Sequence, residues 1–308
     1  MKPLRIGTRG SALALWQARS IAASLRETGV ETELVIIKTS GDKNQQSPFS
    51  QMGGKGVFIK ELEDALLDLR VDLAVHSMKD VPTEMPAGLT LSAICRREDV
   101  RDALLSVSGA TLESLPKAAR VGTSSLRRQA QLLHARNDLR MLELRGNVDT
   151  RIEKLKRGDY DAIVLAKAGL DRIGLSAHIT QVLPQEVSLP AAGQGAIGIE
   201  SRAADTETLR VLAQLNHAET RCSVIAERAA LAGLDGGCQV SIGAWARVEN
   251  GKLTLDVAVL SPDGSKRISE KDSGAPEQAE AIGASIAKKL RERGAAALLA
   301  RESRGTPA

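Results

Sequence analysis

The feature that most constrains this chain is an internal echo. Arg5-Ile6-Gly7-Thr8 matches Arg120-Val121-Gly122-Thr123, and each leads through small polar residues into a helical pattern. Further on, Gly56 starts a helix that ends at Asp72-Leu73-Ala74-Val75. At nearly the same spacing, Gly146 starts one that ends at Asp161-Ala162-Ile163-Val164. The echo reads as two similar α/β lobes, one beginning near residue 1 and one near residue 100. Strand–Gly–helix units are common, so chance likeness stands as the alternative.

The local pattern agrees with α/β lobes. Residues 4–8 read as a strand and 11–27 as a helix with Ser11 at its N-cap. Leu15, Ala18, Ala22 and Leu25 give that helix one apolar face. Residues 33–38 and 72–76 read as strands, 57–70 as a helix, and 39–56 as a loop. Such alternation predicts a mostly parallel sheet covered by helices. After residue 217 the character changes. A helix over 218–232 precedes strands at 241–248, 252–260 and 265–271, with turns at Asn250-Gly251 and Pro262-Asp263-Gly264. Ala279, Ile282, Ile286 and Leu290 mark a final amphipathic helix. Strands in a run followed by a helix predict a separate small α+β domain.

Composition narrows the function. At 308 residues the chain exceeds one ordinary domain and suits two or three. It has no run of eighteen apolar residues and no apolar signal-peptide core near Met1, so a cytoplasmic protein without a membrane span is expected. The cysteines, Cys95, Cys222 and Cys238, have no metal-like spacing and do not suggest a disulfide framework. The four histidines are not spaced as a zinc pair, so no metal is expected. A net charge of +4 and few aromatics disfavour a nucleic-acid partner.

Four segments could carry chemistry. Thr8-Arg9-Gly10-Ser11 and its echo Thr123-Ser124-Ser125, followed by Arg127-Arg128, stand at strand-to-helix junctions. Free N–H groups there attract anions, and hydroxyls and guanidinium groups reinforce this. N-capping with solvated arginines explains each one alone; the repetition favours anion binding. Val75-His76-Ser77-Met78-Lys79-Asp80-Val81-Pro82 follows a buried strand, at the carboxyl end where ligands sit in open α/β sheets. There Asp80 could act as acid or base, or stabilise a cation; alone, a surface ion pair explains Lys79-Asp80 as well. Leu144-Arg145-Gly146-Asn147-Val148-Asp149-Thr150-Arg151, with Arg172 downstream, offers arginines suited to bidentate capture of carboxylate or phosphate. Arg145 reads as the end of an apolar strand. Gly193-Gln194-Gly195 is too short to indicate a nucleotide. Leu234-Asp235-Gly236-Gly237-Cys238-Gln239-Val240 puts a cysteine on a glycine loop. It could be a nucleophile, an attachment point or a buried thiol.

Together these segments resemble the porphobilinogen deaminase (hydroxymethylbilane synthase) family. Gly53-Gly54-Lys55-Gly56-Val57-Phe58, Leu189-Pro190-Ala191-Ala192-Gly193-Gln194-Gly195 and Glu227-Arg228 complete the likeness, which runs in order through nearly the whole chain. The resemblance implies an α/β fold: two lobes like those of type II periplasmic binding proteins, with the active site in the cleft between them, and a small α+β C-terminal domain. It implies a first lobe of residues 1–98 with 196–214, a second of 99–195 and a C-terminal domain of 215–308. It also implies a monomer.

The implied reaction joins four porphobilinogen molecules head to tail with loss of ammonia, giving the linear tetrapyrrole hydroxymethylbilane, a haem precursor. The implied cofactor is dipyrromethane, a primer held by a thioether to Cys238. Each pyrrole carries two carboxylates, so partners are obligatory in a desolvated site. By resemblance, Lys79, Thr123, Ser125, Arg127, Arg128, Arg145 and Gly146 hold the cofactor. Arg9, Ser11, Arg145, Arg151, Arg172, Lys55, Phe58 and Gln194 serve the substrate. Asp80 matches the catalytic carboxylate, which hydrogen-bonds pyrrole N–H groups and stabilises positive charge. One departure is Gln51-Met52 before Gly53-Gly54-Lys55, where some members carry a second lysine. A non-enzymatic polyanion binder explains the arginines but not the Cys238 loop.

Overall fold

A computed structural model of the chain describes residues 2–39, 59–235 and 240–299. Lys55, Phe58 and Cys238 lie outside the described residues. In chain order the main elements are β1 (Leu4–Thr8), α1 (Ala12–Glu27), β2 (Thr32–Ile36), α2 (Lys60–Leu67), β3 (Leu73–Ser77), β4 (Leu89–Ile94) and β5 (Asp102–Ser106). Then come β6 (Arg120–Gly122), α3 (Leu126–Ala135), β7 (Arg140–Leu142), α4 (Val148–Lys156), β8 (Ala162–Ala166), α5 (Lys167–Arg172), β9 (Gln181–Val182) and β10 (Ile197–Arg202). The chain continues with α6 (Thr206–Leu212), α7 (Ala218–Gly233), β11 (Ile242–Glu249), β12 (Lys252–Leu260), β13 (Arg267–Gly274), α8 (Ala279–Glu292) and α9 (Ala295–Leu299).

The chain forms two compact units, Met1–Glu98 with Gly195–Arg221, and Asp99–Gln194 with Cys222–Ala308. The first holds a five-stranded sheet in the order β2-β1-β3-β10-β4. The second holds a five-stranded sheet, β7-β6-β8-β5-β9, and a three-stranded antiparallel one, β11-β12-β13. The two larger sheets have one topology. In each, three parallel strands with the earlier one central are followed by an antiparallel pairing on each side of a fourth strand. The expectation of mostly parallel sheets is therefore corrected: half the pairings in each are antiparallel. The reason is that β5 and β10 enter their sheets from distant parts of the chain, which no local pattern reveals.

The echo has a physical basis. The Arg5 amide and guanidinium donate to Asp72, at 2.9 and 2.8 Å, joining β1 to the start of β3. Arg120 does the same to Asp161, at 2.7 and 2.8 Å, joining β6 to the start of β8. Each repeat also packs a side chain closely over its glycine. A Cβ on Gly7 would lie 3.1 Å from Val71 Cγ2, and one on Gly122 would lie 2.7 Å from Tyr160 Cδ1. Leu25, Leu73, Ile199 and Leu212 lie in one core of the first unit, while Val121, Leu132 and Val164 share a core in the second.

The third sheet has a separate core. Leu253, Leu255 and Val257 of β12 meet Ile282, Ile286 and Leu290 of α8 and Ala226 and Ala230 of α7. Asn250 and Gly251 both adopt left-handed φ, 51° and 73°, as the hairpin joining β11 to β12 requires.

Candidate functional site

In the first unit, the strand β1 delivers Arg9 and Ser11 to its carboxyl end. Ser11 caps α1, its Oγ accepting from Ala14 N at 3.4 Å, and the first turn of α1 holds no acidic residue. Arg9 is half-buried. The neighbouring β3 ends in a single 3-10 turn, Met78–Asp80. Met78 is buried, Lys79 half-buried and Asp80 exposed, so the turn is pinned from below while it offers its carboxylate to solvent.

In the second unit, β6, β7 and β8 are adjacent and parallel, so their carboxyl ends share one edge. Ser125 caps α3 through a 3.4 Å bond from Arg128 N, and buried Thr123 Oγ1 accepts from Ser125 N at 3.2 Å. Ser124 Oγ donates to Leu144 O at 2.6 Å, tying this loop to the one carrying Arg145 and Gly146. Gly146 has φ +109°, and a Cβ there would lie 2.9 Å from Thr150 Cβ. Arg151 Nε donates to Gly146 O at 2.7 Å, and Arg145 Nε to Glu143 at 2.6 Å. Arg172 is buried at the end of α5. One local reading is corrected. The strand ends at Leu142, three residues before Arg145, because Leu144 O is taken by Ser124 instead of a neighbouring strand.

Arg127 and Arg128 do not lie open at the surface. Both are buried and converge on Asp102, the first residue of β5, which is fully buried. Arg127 Nη1 donates to Asp102 Oδ2 at 2.8 Å, and Arg128 Nε and Nη2 to Oδ1 at 3.0 and 2.7 Å. Ser188 Oγ and Gln194 Nε2 add donors at 2.8 and 2.9 Å. Burial alone would push the Asp102 carboxyl up; the two guanidinium groups prevail and hold it far below the usual carboxylate range. Asp102 escaped the sequence reading. Its signal is an acidic residue directly before the apolar run Ala103-Leu104-Leu105. Arg127 Nε is buried with no hydrogen-bond acceptor among the described residues.

Glu227, quoted above only as part of a motif, is also buried. Its two oxygens accept from Gly193 N and Ala246 N, both at 2.7 Å, joining α7 to the 190s loop and to β11. Among the described residues there is no cluster of metal-ligating groups and no helix long and apolar enough to cross a membrane.

Two family models match the chain. Residues 4–210 match the porphobilinogen deaminase dipyrromethane cofactor-binding domain, and residues 221–292 match the porphobilinogen deaminase C-terminal domain. The chain belongs to the porphobilinogen deaminase family. It is an enzyme of tetrapyrrole biosynthesis that joins four porphobilinogen molecules, with release of ammonia, into hydroxymethylbilane on a dipyrromethane cofactor. The donor set suits a deaminase's polycarboxylated ligands. Within each unit, hydroxyls and cationic side chains stand at strand ends, the first turns of α1 and α3 hold no acidic residue, and Arg127 Nε has no acceptor among the described residues.

Solved structures of lower similarity include a periplasmic substrate-binding protein of an ABC transporter from Coxiella burnetii, 14% identical with a TM-score of 0.44, over 69% of this chain and 91% of that one. The Bordetella pertussis BvgS periplasmic VFT2 domain is 13% identical with a TM-score of 0.42, over 69% and 86%. A Salmonella typhimurium periplasmic binding protein of high arginine specificity is 13% identical with a TM-score of 0.39, over 70% and 92%.

Proposed function

We propose that Asp80 is the catalytic carboxylate of this deaminase. The observation that carries the reading is the turn Met78–Asp80, which leaves Asp80 exposed beside Lys79 at the carboxyl end of β3. Asp80 accepts hydrogen bonds from pyrrole N–H groups and stabilises the positive charge that develops on the substrate as ammonia leaves. Dipyrromethane, when bound, supplies the pyrrole from which the chain grows. Cys238 is its thioether attachment point.

The remaining residues pair carboxylates. Lys79, Thr123, Ser125, Arg145 and Gly146 hold the cofactor, with Arg127 offering its buried Nε. Arg128 and Gln194 act through Asp102, to which each donates. Arg9, Ser11, Arg151 and Arg172, with Lys55 and Phe58, serve the incoming substrate. In finer classification the enzyme is a transferase of alkyl or aryl groups other than methyl. It works as a cytoplasmic monomer divided into three domains, 1–98 with 196–214, 99–195 and 215–308. Three separate sheets support that division.

The test is Asp80→Asn, which removes the charge at nearly constant volume. Loss of one well-placed electrostatic stabiliser costs on the order of 10²–10³ in rate. The variant should stay folded, carry the cofactor's mass and be nearly inactive. Turnover within a few-fold of wild type would make Asp80 a bystander.

A further inference from the structure

Behind the Asp80 turn lies a buried pair that the reaction does not explain. His76 on β3 and Glu200 on β10 are both buried, and His76 Nε2 stands 2.9 Å from Glu200 Oε2. The register places Glu200 beside Ala74 and Gly198 beside His76, so the pair spans the antiparallel ladder diagonally. Ala74 packs with Leu62, Ala65 and Leu66 of α2, so the pair lies on the α2 side of the sheet. Glu63 of α2 is part of the same environment. Burial first, and then the Glu200 charge, push its carboxyl up, while His76 opposes this.

Stability alone is a weak reason for keeping such a pair. Taking charged or polar groups out of water is costly, and well-packed apolar residues of similar volume often do as well or better. Glu200 Oε1 is buried without a hydrogen-bond partner among the described residues, which adds to the cost. What the pair does is fix the end of β3 against β10. Two further contacts act at the same place. Met78 N donates to Ala196 O at 3.0 Å, and Met78 Sδ packs over Gly198, 2.8 Å from where a Cβ there would lie. From the other side, buried Gln17 of α1 donates through Nε2 to Ser77 Oγ at 3.0 Å. The two residues before the turn, His76 and Ser77, are thus held by Glu200 and Gln17, and its first residue, Met78, by Ala196 O. Lys79 and Asp80 follow.

We propose that Glu200 is a positioning residue of the deaminase, acting through His76 to fix the turn that presents Asp80. This rests on Asp80 being the catalytic carboxylate. Glu200 touches neither substrate nor cofactor. Its effect is geometric, and small displacements of a catalytic group cost rate without weakening ground-state binding.

The experiment compares Glu200→Gln, Glu200→Ala and the double variant His76→Leu/Glu200→Leu with wild type and Asp80→Asn. For each, intact mass reports the cofactor, thermal melting reports stability, and initial rates with porphobilinogen give kcat and KM. Glu200→Ala is expected to keep the cofactor increment and KM while kcat falls by roughly 10- to 10²-fold. Glu200→Gln, which can still accept from His76, should recover most of that loss. The double variant keeps the volume apolar. It should melt no lower than Glu200→Ala and still show the kcat loss, so the test survives if Glu200→Ala does not fold. Wild-type kcat in a folded double variant would overturn the proposal, as would a loss of activity that tracks melting temperature alone. If Asp80→Asn is fully active, the reading of Asp80 fails; if only the Glu200 variants are active, this inference alone fails.

Discussion

Arg128 and Asp102 form a two-point ion pair inside the second unit, with Nε and Nη2 at 3.0 and 2.7 Å from one carboxylate oxygen. Arg127 takes the other oxygen at 2.8 Å. The pair joins the first turn of α3, where Ser125 stands, to the start of β5. One buried carboxylate thus orients two arginines whose cationic ends would otherwise repel.

Removing that carboxylate should therefore disturb cofactor holding as well as stability. Breaking a buried ion pair by deleting one partner costs about 3–5 kcal/mol. Asp102→Asn should unfold at lower urea concentration, and the folded fraction should be purified largely without the cofactor increment. A fully loaded chain of wild-type stability would show that the arginines need no such hub.

Acid should weaken the fold through the same kind of group. Burial alone would push the Asp72 carboxyl up, but hydrogen bonds from Arg5 and Arg202 together outweigh it and hold the carboxyl below its ordinary value, and Arg120 lowers Asp161 in the matching place. A carboxyl with a lowered folded value contributes fully above its unfolded value, near 3.9, and loses that contribution as pH falls through the folded one. Urea midpoints should be flat near neutrality and drop below about pH 4. Asp72→Asn should lower the midpoint at pH 7 and flatten the acid limb. An unchanged acid limb would exclude Asp72 from it.

Gly283 in α8 decides between two opposed effects. In an open helix, Gly to Ala stabilises by roughly 1 kcal/mol. Here an added Cβ would collide with Ala226 O of α7 and lie 2.7 Å from Ala229 Cβ. The contacts are largely with the backbone of α7, which cannot move aside as the end of a flexible side chain can, so Gly283→Ala should destabilise by about 1–3 kcal/mol. A raised melting temperature would mean that α7 and α8 are not so close.

Much of the architecture was legible where the signal is local. The bounds expected for the middle C-terminal strand, 252–260, are those of β12, and Asn250-Gly251 turns where it should. The echo of Arg5 and Asp72 in Arg120 and Asp161 was visible because the same ion pair recurs in two similar local contexts, a strand running into glycine and an aspartate opening an apolar strand. The antiparallel pairings of β10 and β5 were not visible in the local pattern, since their partners are set over long range; only the family resemblance implied that 196–214 belongs with residues 1–98. Asp102 was missed for the same reason: its five donors come from Arg127, Arg128, Ser188 and Gln194, scattered along the chain. The motif containing His76 was recognised, but its contact with Glu200 depends on the β3–β10 register.

The central claim is that this chain builds tetrapyrrole on a primer attached to Cys238. Intact mass of the purified protein tests it most directly, before and after addition of porphobilinogen. Wild type should carry an increment of two pyrrole units and then show further pyrrole additions, while Cys238→Ala should have its bare sequence mass and gain nothing. A Cys238→Ala chain that still bears the two-pyrrole increment would contradict the attachment, and a wild-type chain that neither bears it nor gains pyrroles would contradict the whole account.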